Sequence, residues 1–127
     1  MRTSLPYQNN VVDIYIIEPE TKEFPLILFL HGGSKTLGKE RFQEWQDNLA
    51  KEGIGSASFD FIGVGKSTGS FSESSLADRV GQVIYIVTWL HDKYPQALFS
   101  LYGVSMGGYV ALAFFQKYPF TLAYYTK

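Results

Sequence analysis

Short apolar runs bounded by Gly, Pro or polar residues recur along this chain and mark its predicted strands. Runs of this kind are typical of strands that a sheet buries on both faces. They predict four strands, at residues 11–17, 26–30, 55–59 and 98–102. The apolar tail at 120–125 is a candidate for the start of one more strand.

Between the predicted strands, apolar residues repeat at helical spacing. Phe42, Trp45 and Leu49 stand at i, i+3 and i+7. This spacing predicts an amphipathic helix over residues 40–51, with Gly53 as its stop.

The clearest helical pattern follows Ser75, which forms a capping-box sequence with Asp78. Its apolar positions are Leu76, Val80, Val83, Ile84, Val87 and Leu90. Pro95 closes this helix. A further helix is predicted over 105–118, and Pro119 stops it.

Strands that alternate with helices predict an α/β fold, in which a mostly parallel sheet is flanked by helices. The 127 residues are enough for one domain. Ligands of such sheets bind beyond the carboxyl ends of the strands. The loops that follow strands here, and that are therefore expected to form a site, are 31–36, 60–74 and 103–107.

Composition narrows the possible functions. The 11 basic and 12 acidic residues give a net charge of −1, without the clustered Lys and Arg that nucleic acids or anionic membranes attract. The chain has no cysteine, which excludes disulfides, thiolate metal sites and a cysteine nucleophile. The polar amino terminus lacks the apolar core of a secretory signal, and no apolar run reaches the roughly 18–20 residues of a membrane span. We therefore expect a cytoplasmic protein with no nucleic-acid partner and no metal or organic cofactor.

The best candidate for chemistry is Ser105, the central residue of a G-x-S-x-G pattern at 103–107. The pattern falls between a predicted strand and a predicted helix. A nucleophilic serine at such a junction projects from a sharp turn with a strained backbone. Glycines two residues to either side avoid collisions with neighbouring backbone. The helix that follows directs its first N–H groups at the site, where they stabilise a developing oxyanion.

Three segments resemble signatures of the α/β-hydrolase superfamily, in the same order and spacing. They are the apolar strand and oxyanion loop at 26–33, a D-x-x-G-x-G-x-S loop at 60–67 and the nucleophile elbow at 103–108. Together they are similar to the serine aminopeptidase and monoacylglycerol-lipase-like branch, which includes many small esterases. The resemblance covers about residues 11–119. It implies a hydrolase that acts on esters, thioesters or amides and takes a small-molecule acyl substrate.

The resemblance also implies roles for individual residues. Ser105 is the nucleophile, and the N–H groups of Met106 and Gly33 form the oxyanion hole, with Ser34 as the alternative to Gly33. His31 has a structural role, whereas His91 is a solvated or capping residue near a helix end. The motif residues that shape the loops are His31, Gly32, Asp60, Gly63, Gly65, Ser67, Gly103 and Gly107.

The residues after Ser105 depart from this resemblance. In α/β-hydrolases the acid and then the histidine base follow the serine in the chain. Residues 106–127 contain no Asp, Glu or His. A serine hydroxyl without an adjacent base is a poor nucleophile at neutral pH. We therefore expect negligible turnover by this chain alone, and a truncated fold in which residues 1–127 are the amino-terminal part of a single α/β-hydrolase domain, without its later strands, lid, acid and base.

Two other functions are compatible with parts of the sequence. The segment 63–67, Gly-Val-Gly-Lys-Ser, resembles the end of a nucleotide-binding P-loop, whose lysine contacts phosphates and whose serine contacts magnesium. Asp60 stands where that motif needs glycine, and no helix is predicted before Ser75. The other alternative is a non-catalytic binding module with a hydrolase-like fold. The missing base favours such a module, and the serine turn disfavours it.

Overall fold

Five strands form one sheet in this computed structural model, which describes residues 1–33 and 38–118. The strands are β1 (Arg2–Tyr7), β2 (Asn10–Ile17), β3 (Leu26–Leu30), β4 (Gly55–Phe59) and β5 (Phe99–Gly103). The helices are α1 (Gln43–Lys51), α2 (Leu76–Lys93) and α3 (Met106–Lys117), and a 3₁₀ turn at Lys39–Phe42 leads into α1. Within these described ranges, no helix has the length and apolar character needed to cross a membrane.

The order of the strands in the sheet is β1-β2-β4-β3-β5. β3 pairs in parallel with β4 and β5, whereas β2 pairs antiparallel with β1 and β4. The predicted α/β fold is confirmed, and its sheet is mixed. β1 and β2 are joined by a turn of two residues, which only antiparallel strands allow. Since β2 is also antiparallel to β4, parallel pairing is confined to β3, β4 and β5.

The three parallel strands end at the same edge of the sheet. Leu30, the last residue of β3, is the register partner of Phe59 in β4 and of Gly103 in β5. The loops that follow these strands therefore begin side by side, where ligands of α/β sheets bind.

Four of the five strands lie where the apolar runs predict them. β3 and β4 have the predicted limits, β2 begins one residue earlier than predicted, and β5 is shifted by one residue. β1 is not predicted, because it begins with three polar residues, contains no apolar run, and buries only Leu5. Its Pro6 is tolerated because β1 is an edge strand. The candidate strand at 120–125 lies outside the described residues.

The helix predicted at 40–51 begins as a 3₁₀ turn, and its apolar face differs from the prediction. Trp45 is 45% exposed, whereas Gln46 is fully buried. The side-chain oxygen of Gln46 accepts a hydrogen bond from the Ser58 hydroxyl of β4 at 2.8 Å. Because β4 presents a hydroxyl to this helix, a polar partner is needed at that point of the helix. Gly53 ends the helix as predicted, with a φ of +80°.

The capping box at the start of α2 is confirmed. The Asp78 N–H donates to the Ser75 hydroxyl at 3.1 Å, and the Ser75 N–H donates to the Asp78 carboxylate at 2.8 Å. One apolar position differs, since Leu76 in the first turn is 46% exposed. Gln82 is buried instead, because its side-chain oxygen accepts the N–H of Ile62 at 2.8 Å.

The main apolar cluster packs α2 and α3 against one face of the sheet. Its members from β3, α2 and α3 are Leu26, Leu28, Leu30, Val80, Val83, Ile86, Leu90, Val110, Ala111 and Phe114. Each fully buried side chain of this size contributes roughly 1.5–3 kcal/mol relative to an exposed one. α1 lies on the other face, because Ser58 and its strand neighbours Ala57 and Phe59 point in opposite directions.

Candidate active site

Ser105 lies at the junction between β5 and α3, and its backbone is strained. Its φ is +52° and its ψ is −112°, and its surface is exposed. Apart from glycines, only Gln8 shares a positive φ among the described residues. A non-glycine residue in such a conformation costs of order 1–3 kcal/mol and persists only where the surroundings enforce it.

The close approach of α3 to the ends of the strands is what enforces this conformation. A Cβ atom on Gly107 would lie 2.2 Å from the carbonyl oxygen of Leu30, and one on Gly103 would lie 2.5 Å from the carbonyl oxygen of Gly107. Neither position has room for a side chain. The Val104 N–H donates to Leu30 at 3.0 Å, so the turn is also hydrogen-bonded to the end of β3.

The first turn of α3 supplies N–H groups at the serine. α3 begins at Met106, and the Gly107 N–H donates to the Val104 carbonyl at 2.9 Å. The first N–H groups of a helix have no acceptor within the helix. The Met106 N–H is therefore available beside Ser105, where the partial positive charge of the helix end favours an anion.

The loop after β3 lies against this turn. A Cβ atom on Gly32 would be 3.7 Å from the Ser105 Cβ, and one on Gly33 would be 3.8 Å from the Met106 Cβ. Gly33 is exposed, whereas His31 and Gly32 are buried. The two candidate oxyanion donors are thus carried by neighbouring segments. Ser34, the alternative donor, lies outside the described residues.

The buried ring of His31 sets the orientation of the peptide between Gly32 and Gly33. Its Nδ1 is 2.6 Å from the Gly32 carbonyl oxygen, and its Nε2 accepts the Phe61 N–H at 3.0 Å. Burial lowers the pKa of His31, outweighing the opposing hydrogen bond to Gly32, so the ring is neutral at pH 7. In a planar trans peptide the C=O and N–H point in opposite directions. The Gly33 N–H therefore points away from the His31 ring.

Asp60 organises the second loop of the site. Its carboxylate accepts the N–H of Lys39 at 2.7 Å, the N–H of Lys66 at 3.0 Å and the ammonium of Lys39 at 2.8 Å. The Ser67 hydroxyl donates to the Asp60 carbonyl oxygen at 2.5 Å and accepts the Asp13 N–H at 2.9 Å. Gly63 and Gly65 have positive φ values of 85° and 53°, which suit glycine.

Sequence reasoning missed the ionic part of this loop. The Lys39 ammonium also lies 2.8 Å from the carboxylate of Asp13, which in turn accepts hydrogen bonds from Arg2. Asp13, Lys39 and Asp60 come from three segments that are far apart in the chain. The only available signal is Asp13 itself, a charged residue inside an apolar strand.

The segment 63–67 does not have the geometry of a P-loop. Its Ser67 hydroxyl is buried and hydrogen-bonded on both sides, and the Lys66 N–H is bound to Asp60. The next helix begins only at Leu76, so no helix continues directly from this segment, as a P-loop requires. The nucleotide-binding alternative therefore lacks its required context.

His91 lies far from Ser105. Its ring packs against Phe99 at 5.5 Å between centroids, at the first residue of β5. Ser105 lies beyond the opposite end of the same strand, so the length of β5, about 13 Å at about 3.3 Å per residue, separates Phe99 from the serine turn.

Known proteins resemble this chain in sequence and in structure. A family model described as the alpha/beta hydrolase fold matches residues 25–120. Lysophosphatidylserine lipase ABHD12 of Xenopus tropicalis is 31% identical over 88 residues, which are 69% of this chain and 22% of that protein.

Solved structures show the same fold. Est1E from Butyrivibrio proteoclasticus, with ferulic acid bound, has a TM-score of 0.82 at 18% identity and covers 94% of this chain and 49% of its own. An alpha-beta serine hydrolase homologue from Coxiella burnetii has a TM-score of 0.77 at 19% identity and covers 92% and 57%. The chain spans about half the length of these structures and about a fifth of the lipase.

Proposed function

The chain belongs to the α/β-hydrolase fold family, and we propose that it carries the nucleophile and the oxyanion hole of a serine hydrolase. The observation that best supports this proposal is the strained backbone of exposed Ser105, which has a φ of +52° and lies beside the Met106 N–H and the loop at Gly33. A residue held against its conformational preference at a sheet edge points to a functional site rather than to an incidental turn.

In the proposed reaction, the Ser105 Oγ attacks the carbonyl carbon of an acyl substrate and loses its proton to a general base. The carbonyl oxygen becomes an oxyanion, which accepts hydrogen bonds from the Met106 and Gly33 N–H groups. When the tetrahedral intermediate collapses, the alcohol, thiol or amine leaves with a proton, and the acyl group stays on Ser105. Water then attacks the acyl-enzyme, which releases the acid and restores the serine.

The geometry around His31 supports the role of Gly33. Because the Gly32 carbonyl is bound to the ring, the Gly33 N–H points away from the ring, and Gly33 itself lies beside Met106. Losing one donor of an oxyanion hole typically costs about 2.7–4 kcal/mol of transition-state stabilisation. Because both ring nitrogens of His31 are hydrogen-bonded inside the protein, we assign this residue to positioning and not to proton transfer.

The same contacts show that neither histidine of the chain is placed to act as the general base for Ser105. Both nitrogens of His31 are engaged inside the protein, and His91 lies beyond the far end of β5. Residues 106–127 contain no Asp, Glu or His. We propose that residues 1–127 act as the amino-terminal part of one hydrolase domain, that residues outside them supply the acid and the base, and that turnover by these residues alone is negligible.

The names of similar proteins support an acyl ester as the substrate class. One relative is named a lysophosphatidylserine lipase, and one structural neighbour holds ferulic acid, a carboxylic acid. Thioesters and amides react through the same intermediate and stay within the proposal.

An activated ester tests the proposal in the absence of a protein base, because p-nitrophenolate leaves without a proton and solvent hydroxide can take the proton of Ser105. Enzymes of this type that lack a triad member retain roughly 10³–10⁴-fold catalysis over water through the oxyanion hole and binding. We expect p-nitrophenyl acetate to acetylate Ser105 slowly and once per chain, as measured by intact mass and peptide mapping. Ser105→Ala should abolish this modification.

Two results would count against the proposal. Acetylation that is equal in the Ser105→Ala variant would mean that Ser105 is not activated by its turn. Saturable binding of the ester without any acyl transfer would instead favour a non-catalytic binding module.

A further inference from the structure

Lys39 is a buried cation held between two carboxylates. It is 2% exposed, and its ammonium lies 2.8 Å from the carboxylates of both Asp13 and Asp60. Burial alone would lower the pKa of Lys39, but the hydrogen bonds to Asp13 and Asp60 raise it above its usual value. The side chain is therefore charged, and its position is defined by both partners.

The Asp60 carboxylate sits in a socket that two glycines leave open. A Cβ atom on Gly38 would lie 2.0 Å from one of its oxygens, and a Cβ atom on Gly65 would lie 2.5 Å from the other. The backbone N–H groups of Lys39 and Lys66 donate into the same socket. A carboxylate packed and hydrogen-bonded in this way fixes the backbone on both of its sides.

Residues 60 and 61 contact the chain on both sides of the loop that follows β3, at His31 and at Lys39. Asp60 binds Lys39, which follows the loop, and the N–H of Phe61 binds the ring of His31, which precedes it. The His31 ring in turn holds the Gly32 carbonyl. A single dipeptide at the end of β4 thus connects to the peptide that carries the Gly33 N–H.

We propose that Lys39 and Asp60 are a positioning pair for the oxyanion hole, an inference that rests on the proposed function of Ser105. Their ion pair holds residues 60 and 61 in place at the end of β4 and, through the hydrogen bond from the Phe61 N–H to the His31 ring, maintains the direction of the Gly33 N–H. A role in stability alone is a weaker account. Replacing a buried ion pair by apolar residues is often neutral or stabilising, so such pairs are poor devices for stability.

Asp60→Asn and Asp13→Asn form a matched pair of variants. Each removes one carboxylate charge from the same buried cluster and keeps the volume of the side chain. In Asp60→Asn the new amide can accept from only one side, so the hydrogen bonds that hold residues 60 and 61 in place are weakened. In Asp13→Asn the Lys39–Asp60 pair remains, whereas the contacts of Asp13 with Lys39 and Arg2 are weakened.

The test compares single-turnover acetylation of Ser105 by p-nitrophenyl acetate at a temperature where all variants are folded by circular dichroism. We expect Asp60→Asn to lower the maximal acylation rate about tenfold or more, because a misdirected donor stabilises the oxyanion poorly. The half-saturating ester concentration should stay within about twofold, because the ground state does not contain the oxyanion. Asp13→Asn should stay close to the unmodified chain in both quantities.

Equal losses in the two variants, in proportion to their loss of stability, would overturn the positioning role. So would an unchanged acylation rate in Asp60→Asn.

A second readout separates this proposal from the proposed function. The Gly33 amide resonance in a ¹H–¹⁵N spectrum should move in Asp60→Asn and stay in place in Asp13→Asn. If the unmodified chain shows no acetylation that depends on Ser105, the proposed function fails, and this amide alone decides the positioning claim. A Gly33 resonance that is unmoved in Asp60→Asn then overturns it.

Discussion

The backbone N–H of Phe61 donates to Nε2 of His31 at 3.0 Å, and this contact fixes the tautomer of the buried ring. An accepting nitrogen carries no hydrogen, so the ring hydrogen lies on Nδ1, where the Gly32 carbonyl accepts it at 2.6 Å. Protonation would place a hydrogen on Nε2 against the Phe61 N–H. The folded protein therefore resists the charged form of this histidine, consistent with its lowered pKa.

The first prediction is a loss of stability in mild acid. Above about pH 6.5 His31 is neutral in both the folded and the unfolded chain, and its contribution is constant. Below about 6.5 the unfolded chain takes up a proton that the folded chain refuses, so the stability is lost as the pH falls toward the lowered folded pKa. The free energy of unfolding should fall by up to about 1.4 kcal/mol per pH unit for this one proton. Urea unfolding between about pH 7 and about pH 5 measures the slope.

Two histidine variants assign that slope. His31→Asn keeps an N–H donor for the Gly32 carbonyl but does not titrate, so the slope between about pH 7 and about pH 5 should disappear. His91→Asn should leave it in place. Asp13, whose pKa is lowered by Arg2 and Lys39 against the effect of burial, contributes only below its usual value of about 3.8, outside this range. A slope that survives in His31→Asn would contradict the assignment.

The second prediction concerns the strain at Ser105. The free energy of unfolding of Ser105→Gly should exceed that of Ser105→Ala by about 1 kcal/mol. Glycine relieves the strain of roughly 1–3 kcal/mol at a positive φ, but its greater conformational entropy in the unfolded chain cancels part of this gain. Alanine keeps the Cβ atom and the strain. Ser100 in β5 provides the control, since in an ordinary strand conformation its glycine variant should be less stable than its alanine variant. The same order at both positions would argue against a strained serine.

The sequence predicts the fold through local patterns, but it does not predict the ion pairs of Lys39 with Asp13 and Asp60. β3, β4 and the Ser75 cap depend on apolar runs and on contacts three residues apart, which a sequence displays directly. Lys39 meets Asp60 across 21 residues, and only the folded sheet brings them together. Spacing predicted Trp45 as buried for a similar reason, because it does not reveal that β4 offers a serine hydroxyl to Gln46.

The third prediction compares neighbouring glycines of α3. Gly107→Ala should destabilise the fold by about 2–3 kcal/mol, because the new methyl would stand 2.2 Å from the Leu30 carbonyl oxygen and push the helix from the sheet. At Gly108 a methyl would meet the Gly103 carbonyl oxygen at an ordinary 3.5 Å, so Gly108→Ala should be neutral or stabilising by up to about 1 kcal/mol. Thermal unfolding of both variants measures the difference. Equal effects would mean that α3 does not pack against β3 as closely as the geometry requires.

The fourth prediction is that a fluorophosphonate probe labels Ser105 of the 127-residue chain negligibly under conditions that label an intact esterase. Ser105 is exposed, and Gly33 and the Met106 N–H lie near it, yet residues 106–127 contain no Asp, Glu or His to accept its proton. Gel fluorescence measures the labelling, with Ser105→Ala as the background. Robust labelling comparable to that of an intact esterase would mean that a base already lies within these residues.

Reading the coding sequence beyond Lys127 separates the remaining explanations of weak labelling. An in-frame continuation that contains an Asp and a His would supply the acid and the base in the order of this family, and labelling of the longer product should then rise to the level of an intact esterase. If labelling of such a product stayed weak, a missing base would not be the reason. The turn at Ser105 or the direction of the Gly33 N–H would then be at fault, because acyl transfer needs the base, the exposed serine hydroxyl and the oxyanion donors at the same time.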